Sequence, residues 1–290
     1  MVPVESPLIV ITGETASGKS ASALELAQKF NGEIVCADSW TVYKGFDIGT
    51  AKPTTAERQK VPHHLLDIAD PLKGFSAAEF KRRASKVIDE ISERGKLPIL
   101  VGGTGLYIDS IIYDYGFLPA GLPGEREELE KLSVEELIEL VKERGISVEG
   151  IDIRNKRRLI RLLEVDGRRP TKQNLRPNTL IVGLSVSKEK LETRISNRVD
   201  KMMDQGLESE VEALAKLYGW QIEPMKGIGY REFKNYFDGI ETLAEIRERI
   251  TRSSMQLAKK QRTWFKRNKY IQWHDNTSQI VANVTTFLNK

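Results

Sequence analysis

The segment Gly13-Glu14-Thr15-Ala16-Ser17-Gly18-Lys19-Ser20 has the spacing of a phosphate loop, G-x-x-x-x-G-K-[ST]. Its glycines let the backbone turn amide N–H groups inward around phosphate oxygens. The helical pattern that follows, Lys19 to Phe30, aims its positive end at the same point. Lys19 can neutralise terminal phosphate charge, and the Ser20 hydroxyl can bind Mg²⁺. A glycine-rich turn without a ligand is the plain alternative, but an apolar strand pattern enters this loop and a helical one leaves it. The loop specifies phosphate and not its bearer. A nucleotide-hydrolysing or kinase-type enzyme would use it, and so would an enzyme that holds a diphosphate leaving group.

Two more polar points follow apolar runs. Asp38 and Ser39 end the run EIVCAD, and Thr104 stands between glycines after PILVGG. In an open α/β sheet, ligands sit beyond the carboxyl ends of the strands. A phosphate cradle, a carboxylate and a hydroxyl are therefore expected in one crevice, where Asp38 can take a proton from a nucleophile. A helix cap or a place behind a metal is the other reading of Asp38, and a plain turn is the other reading of Thr104.

The elements that must position these groups are legible in the periodicity. Apolar runs at 8–11, 33–38, 98–103 and 180–186, with a short one at 270–274, read as strands. Helical patterns occupy 19–30, 76–94, about 188–217, about 241–268 and about 278–289. Alternating strands and helices predict an α/β fold with a parallel sheet flanked by helices, of the P-loop NTPase-like kind. The Gly/Pro-rich stretch GFLPAGLPGE (116–125) marks a boundary. Beyond it comes a small all-helical insert, with a capping box at Ser133 and Glu136, a stop at Gly145 and a helix from Asn155 to Val165. The expected division is a core of 1–117 and 179–290 around an insert of 118–178.

The chain has 290 residues, about two domains' worth, with 40% hydrophobic and 30% charged residues, as in a folded globular protein. Cys36 is the single cysteine, which excludes an internal disulfide and cysteine-based zinc fingers. It reads as a buried strand residue. His63 and His64 have no partner set in the sequence for a metal site and read as structural. No apolar stretch is long enough for a membrane span, and MVPVESP lacks the features of a signal peptide. A cytoplasmic protein is expected. The net charge of +4 is unevenly spread. Residues 154–176 and 244–270 each hold nine Lys/Arg and two acids, which leaves −10 for the rest. Two basic segments on a mildly acidic body suit a polyanion partner, and solvated helix faces are the bland alternative.

A resemblance covers about 260 of the 290 residues. GETASGKS, ADSWTVYKGFDIGTAKP (37–53), VPHHLLDI (61–68), GGTGLYI (102–108), NKRRLIRLLEV (155–165), RISNRVDKMMDQGLESEV (194–211), KGIGYRE (226–232) and KKQRTWFK (259–266) together resemble the tRNA dimethylallyltransferase family, also called IPP transferases. The resemblance implies transfer of a dimethylallyl group from dimethylallyl diphosphate to N6 of the adenosine 3′-adjacent to a tRNA anticodon. It also implies that the P-loop binds diphosphate rather than hydrolysing ATP.

On that reading Asp38 is the proton acceptor and Thr104 helps to position the reacting groups. Gly13, Thr15, Ala16, Ser17, Gly18, Lys19 and Ser20 cradle the diphosphate, with Mg²⁺ at Ser20 and an extra contact from Arg198. The tRNA anticodon stem-loop is implied to meet four groups. The first is Asp38, Ser39, Trp40 and Thr41, and the second is Arg157, Arg158 and Arg161 of the insert. The third is Lys226, Gly229, Tyr230 and Arg231. The fourth is Lys259, Lys260, Gln261, Arg262, Thr263, Trp264 and Lys266; the aromatics there, Trp264 and Phe265, are expected to pack in the core rather than to stack on bases. A monomer is expected.

Two positions depart from the family pattern. Glu14 stands where proline is usual and is expected to point outward. Thr41 stands where glutamine is usual and shortens a contact. A P-loop small-molecule kinase and a non-catalytic RNA-binding P-loop protein are the competing readings.

Overall fold

The structure is a computed structural model and describes residues 6–119, 121–122 and 124–289. Most of MVPVESP, together with Ala120 and Pro123 of the boundary stretch, lies outside the described residues. The chain forms two compact units. One runs up to Ile112 and resumes at Leu175, and the other is Tyr113–Asn174. The second unit thus begins and ends slightly earlier in the chain than the expected 118–178.

The first unit is built on six parallel strands: β1 (Leu8–Gly13), β2 (Gly32–Cys36), β3 (His63–His64), β4 (Leu97–Val101), β5 (Thr179–Leu184) and β6 (Gln272–His274). Their order across the sheet is β3-β2-β4-β1-β5-β6. Every residue of β1, β2 and β4 is buried, which is why these strands read as continuous rather than alternating apolar runs. Register is fixed at the centre, where Ile9 pairs with Ile99 on one side and Leu180 on the other. The edge strand β3 falls in the polar stretch where no strand was expected. It is two residues long and joins β2 through His63 opposite Ile34.

Helices α1 (Lys19–Lys29), α2 (Thr55–Lys60), α3 (Ala77–Glu93) and α4 (Gly105–Ile112) belong to the first half of this unit. The sheet core gathers Leu26 of α1, Ile11, Ile99 and Val182 of the strands, and Ile280 near the C-terminus. The second unit holds α5 (Glu125–Lys131), α6 (Val134–Glu143) and α7 (Lys156–Glu164) around Leu129, Leu137, Val141, Leu159 and Leu163. Ser133 and Glu136 form the expected capping box, and Asn155 caps α7 by accepting from the Arg158 N–H.

The remaining helices are α8 (Lys188–Asp204), α9 (Leu207–Tyr218), the one-turn α10 (Lys234–Phe237), α11 (Leu243–Phe265) and α12 (Thr277–Leu288). The single helix expected over 188–217 is two, because Gly206 takes a left-handed φ of 93° between them. The 23 residues of α11 start at a capping box of Thr242 and Glu245 and bury Ile246, Ile250, Ala258, Gln261 and Phe265 along one face. This helix and α8 share a second core with Phe46, Tyr230 and Phe233.

Candidate active site

Because β2, β4 and β1 are adjacent in the sheet, their three polar ends meet. A cleft of about 1250 Å³, counted to its open mouth, is lined there by Thr15, Lys19 and Ser20 from the phosphate loop, Asp38, Trp40 and Thr41 after β2, and Gly102 and Gly103 after β4. Arg198 of α8 and Gln261 of α11 close the polar part. Ile195, Val199 and Met202 of α8 with Ile250 and Leu257 of α11 supply an apolar wall. The cleft therefore offers both a charged end and a greasy one.

The loop after β1 has the cradle's backbone. Gly13 sits at φ 143°, Ala16 at 59° and Gly18 at 105°. A Cβ on Gly13 would lie 2.9 Å from the Leu184 carbonyl oxygen, so only glycine fits. Gly18 caps α1 without a side-chain acceptor for its first amides, as an anion-binding helix end requires. The Lys19 ammonium donates to the Glu14 carbonyl at 2.6 Å. Burial and the nearby Arg198 pull its pKa down to about 8, against the opposing charges of Asp38 and Glu14. Burial likewise lowers Arg198, which donates to Thr15 Oγ1 at 2.9 Å. Among the described residues, the buried Ser17 Oγ and Thr41 Oγ1 have no hydrogen-bond partner.

Asp38 reaches the cleft from a tight turn in which its Oδ1 accepts the Trp40 N–H at 2.9 Å. Thr104 directly follows the lining residue Gly103 and is half-buried. Its Oγ1 accepts the Ser39 N–H at 3.0 Å and donates to Ser39 Oγ at 3.3 Å, so it holds the turn that carries Asp38. Gly102 is required beneath it, since a Cβ there would sit 2.0 Å from the Ala37 carbonyl oxygen.

The C-terminal stretch of α11 faces two ways. Lys259, Lys260, Thr263 and Lys266 are exposed. Gln261 turns inward, accepting the Thr15 N–H at 2.7 Å and donating to the Gly103 carbonyl at 3.0 Å. Trp264 lies against Gly105 and donates to Asp109 Oδ2 at 3.0 Å, while Phe265 is buried. Arg262 binds both carboxylate oxygens of Glu14. Glu14 is therefore not turned out to solvent as expected. It is buried, and its charge is met by Arg262.

The third basic group also divides. Lys226 and Arg231 are exposed, each beside a carboxylate, Glu223 and Glu232. Gly229 and Tyr230 are buried. The Tyr230 hydroxyl donates to Glu210 Oε1 at 2.7 Å, and its ring fills the space where a Cβ on Gly49 would stand. Glu210 also accepts the N–H groups of Asp47, Ile48 and Gly49. It thereby ties down the loop whose Gly49, Thr50 and Ala51 line the cleft. Glu210 falls within the motif RISNRVDKMMDQGLESEV, but nothing in the sequence assigned it this task. Arg194, whose guanidinium donates to the Ser17 carbonyl at 2.9 Å, was findable, since it lies one helical turn before Arg198.

In the second unit, Arg157 and Arg158 are exposed. Arg161 is engaged within the unit, donating to the Leu118 and Pro119 carbonyls and to Glu164. His63 lines the cleft with Nδ1 against the Val61 carbonyl, and His64 pairs with Glu33. Cys36 lines the cleft too, and burial pushes its thiol up to about 12, which keeps it protonated and unreactive at neutral pH.

Residues 41–268 match the family model described as IPP transferase. The chain belongs to the IPP transferase family. It is 44% identical over 287 residues to the tRNA dimethylallyltransferase of Anoxybacillus flavithermus, covering 94% of this chain and 92% of that one. The Bacillus velezensis tRNA dimethylallyltransferase is 39% identical, with 95% and 93% covered. Among solved structures, the full-length tRNA isopentenylpyrophosphate transferase of Bacillus halodurans superposes with a TM-score of 0.76 at 36% identity, over 98% of this chain and 96% of that one. A eukaryotic dimethylallyltransferase acting on tRNA superposes with a TM-score of 0.79 at 27% identity, over 97% and 77%. For this IPP transferase family member, the parallel sheet flanked by helices is thus the family fold. The kinase and the non-catalytic alternatives are set aside.

Proposed function

We propose that this enzyme transfers a dimethylallyl group from dimethylallyl diphosphate to N6 of the adenosine 3′-adjacent to the anticodon of tRNA, releasing diphosphate. The observation that carries this reading is the convergence of Lys19 and Asp38 on one cleft that also has an apolar wall. The diphosphate takes the cradle, the five-carbon group lies along the apolar side chains, and the purine meets Asp38. A base that reacts at N6 must leave its stack to enter such a pocket.

The chain's own groups divide the work. Lys19, Arg198 and the cradle amides stabilise the negative charge that grows on the departing diphosphate. Asp38 accepts the proton that the attacking amine loses. Thr104 acts at one remove, by fixing the Asp38–Ser39 turn. The donor set fits Mg²⁺: the Ser20 hydroxyl of the phosphate loop lines the cleft, and a P-loop hydroxyl with substrate phosphates and water is a recurrent way to hold that ion. When bound, it supplies further charge neutralisation on the diphosphate. On this reading Ser20 and the substrate oxygens hold the ion, which leaves Asp38 to accept the proton. The exposed Lys259, Lys260, Lys266, Arg157 and Arg158 suit phosphates of an anticodon stem-loop.

Incubating the enzyme with labelled dimethylallyl diphosphate and tRNA tests the reading. Label is expected in the RNA, without ATP, at the adenosine beside the anticodon. Label confined to a small acceptor, or dependent on ATP, would refute it.

A further inference from the structure

The most unusual group at the cradle is its one acidic side chain. Glu14 is the second residue of the phosphate loop, and its carboxylate is 6% exposed. Its backbone carbonyl accepts from the Lys19 ammonium, and its carboxylate is near enough to act on that ammonium's charge. A buried carboxylate in that position repels an anionic ligand and costs desolvation energy unless a cation matches it. Arg262 is that cation. Its Nε and Nη2 both bind the Glu14 carboxylate, the two-toothed geometry that an arginine achieves and a lysine does not. The adjacent Gln261 binds the Thr15 N–H. Consecutive residues of α11 therefore hold consecutive residues of the cradle.

We infer that Arg262 is a positioning residue of the diphosphate site rather than a direct RNA contact: it neutralises Glu14 and so keeps the phosphate loop receptive to an anion. The inference rests on the diphosphate reading of the cleft given above. Arg262 acts through Glu14, so its removal matters only while the carboxylate remains. With Arg262 gone, the negative charge of Glu14 is uncompensated beside the bound anion. With Glu14 neutral, the need for Arg262 disappears.

The probe is inorganic pyrophosphate with Mg²⁺, its binding to the full chain measured by calorimetry for the wild type, Arg262→Met, Glu14→Gln and the double variant. Melting temperatures and tRNA affinity are recorded alongside. Arg262→Met is expected to weaken pyrophosphate binding about 10-fold or more, the scale of one uncompensated charge near a bound anion. The double variant is expected to return to within about threefold of wild type, because the repulsive carboxylate is gone. Glu14→Gln alone is expected to bind as tightly as wild type or tighter, since Arg262 remains.

A merely structural pair would lower stability in both single variants and move both affinities in the same direction. That result overturns the inference. So does a double variant as weak as Arg262→Met, or an Arg262→Met protein that loses tRNA affinity with pyrophosphate binding intact. If Arg262→Met does not fold, Glu14→Gln decides alone, and weaker pyrophosphate binding there is fatal to the inference. A wild type that does not bind pyrophosphate would instead refute the diphosphate reading itself.

Discussion

Asp38 and Thr104 have different tasks although both follow a strand. The Asp38 carboxylate lines the cleft with one oxygen held by the Trp40 N–H, whereas the Thr104 hydroxyl is spent on Ser39. Asp38→Asn keeps an acceptor for the Trp40 N–H and removes only the basicity. We expect it to slow transfer by about 10²–10⁴-fold, the usual loss of a general base, with tRNA affinity within about threefold of wild type. Transfer within threefold of wild type in a single-turnover assay would end the proton-acceptor role. Lys19 shows the cost of such a site. Burial and the neighbouring Arg198 lower its pKa to about 8, so at neutral pH the fold still carries the cation but holds it at a cost in stability. Lys19→Met is therefore expected to raise the melting temperature of the ligand-free protein and to abolish pyrophosphate binding. The sign with pH follows from linkage. Below pH 8 the lysine is protonated folded and unfolded alike, and the gain is full. As pH rises from 8 towards the ordinary lysine value, the native state sheds its proton first, and the gain shrinks. A gain that grows with pH in thermal melts would contradict this cause.

At the scale of elements, the cleft is held open by packing between segments far apart in sequence. Glu210 on α9 ties three successive amides of the 47–49 loop, and Tyr230 stacks under Gly49 while donating to the same carboxylate. Removing such an acceptor leaves several donors without their partner. Glu210→Ala is therefore expected to cost about 2–3 kcal/mol, the scale of hydrogen bonds to a charged group, in urea unfolding, and to speed proteolysis within the loop. Unchanged proteolysis would show that the loop is held by other contacts. None of this was visible in periodicity, because a carboxylate that binds backbone amides leaves no mark on the segment it binds. The same limit hid β3. A two-residue edge pairing at His63–His64 is too short for any alternation to register. The break between α8 and α9 was hidden differently, since a glycine within a helical pattern can be a tolerated residue or a stop, and only the left-handed φ of Gly206 distinguishes them.

At the scale of the whole molecule, charge is divided between the two units. The segments 154–176 and 244–270 concentrate the basic residues, yet the fold spends part of that charge internally. Arg161 serves carbonyls and Glu164 of its own unit, and Arg262 serves Glu14. Arg157 and Arg158 are exposed, as the RNA-phosphate role proposed above requires. Replacing both by alanine is expected to weaken tRNA binding and to lower the slope of log K against log salt by about 1–2, near 0.7–0.9 for each phosphate no longer neutralised. An unchanged slope in filter-binding titrations would exclude them as phosphate ligands. Arg161→Ala is expected instead to destabilise the Tyr113–Asn174 unit.

The sequence by itself determined the phosphate loop, the central strands, the capped helices of the insert and the family motifs. These are local signals, written in residues a few positions apart whose pattern answers to backbone geometry alone. The tertiary structure decided which residues of each motif face the cleft. Strand order put β4 between β1 and β2 and so brought Lys19 and Asp38 together. Contacts across more than two hundred positions joined the Arg262 side chain to the Glu14 carboxylate and the Gln261 side chain to the Thr15 N–H. A basic residue on a helix carries the same letter whether it meets solvent, a phosphate or a buried carboxylate, and only the partner that folding places opposite it settles which.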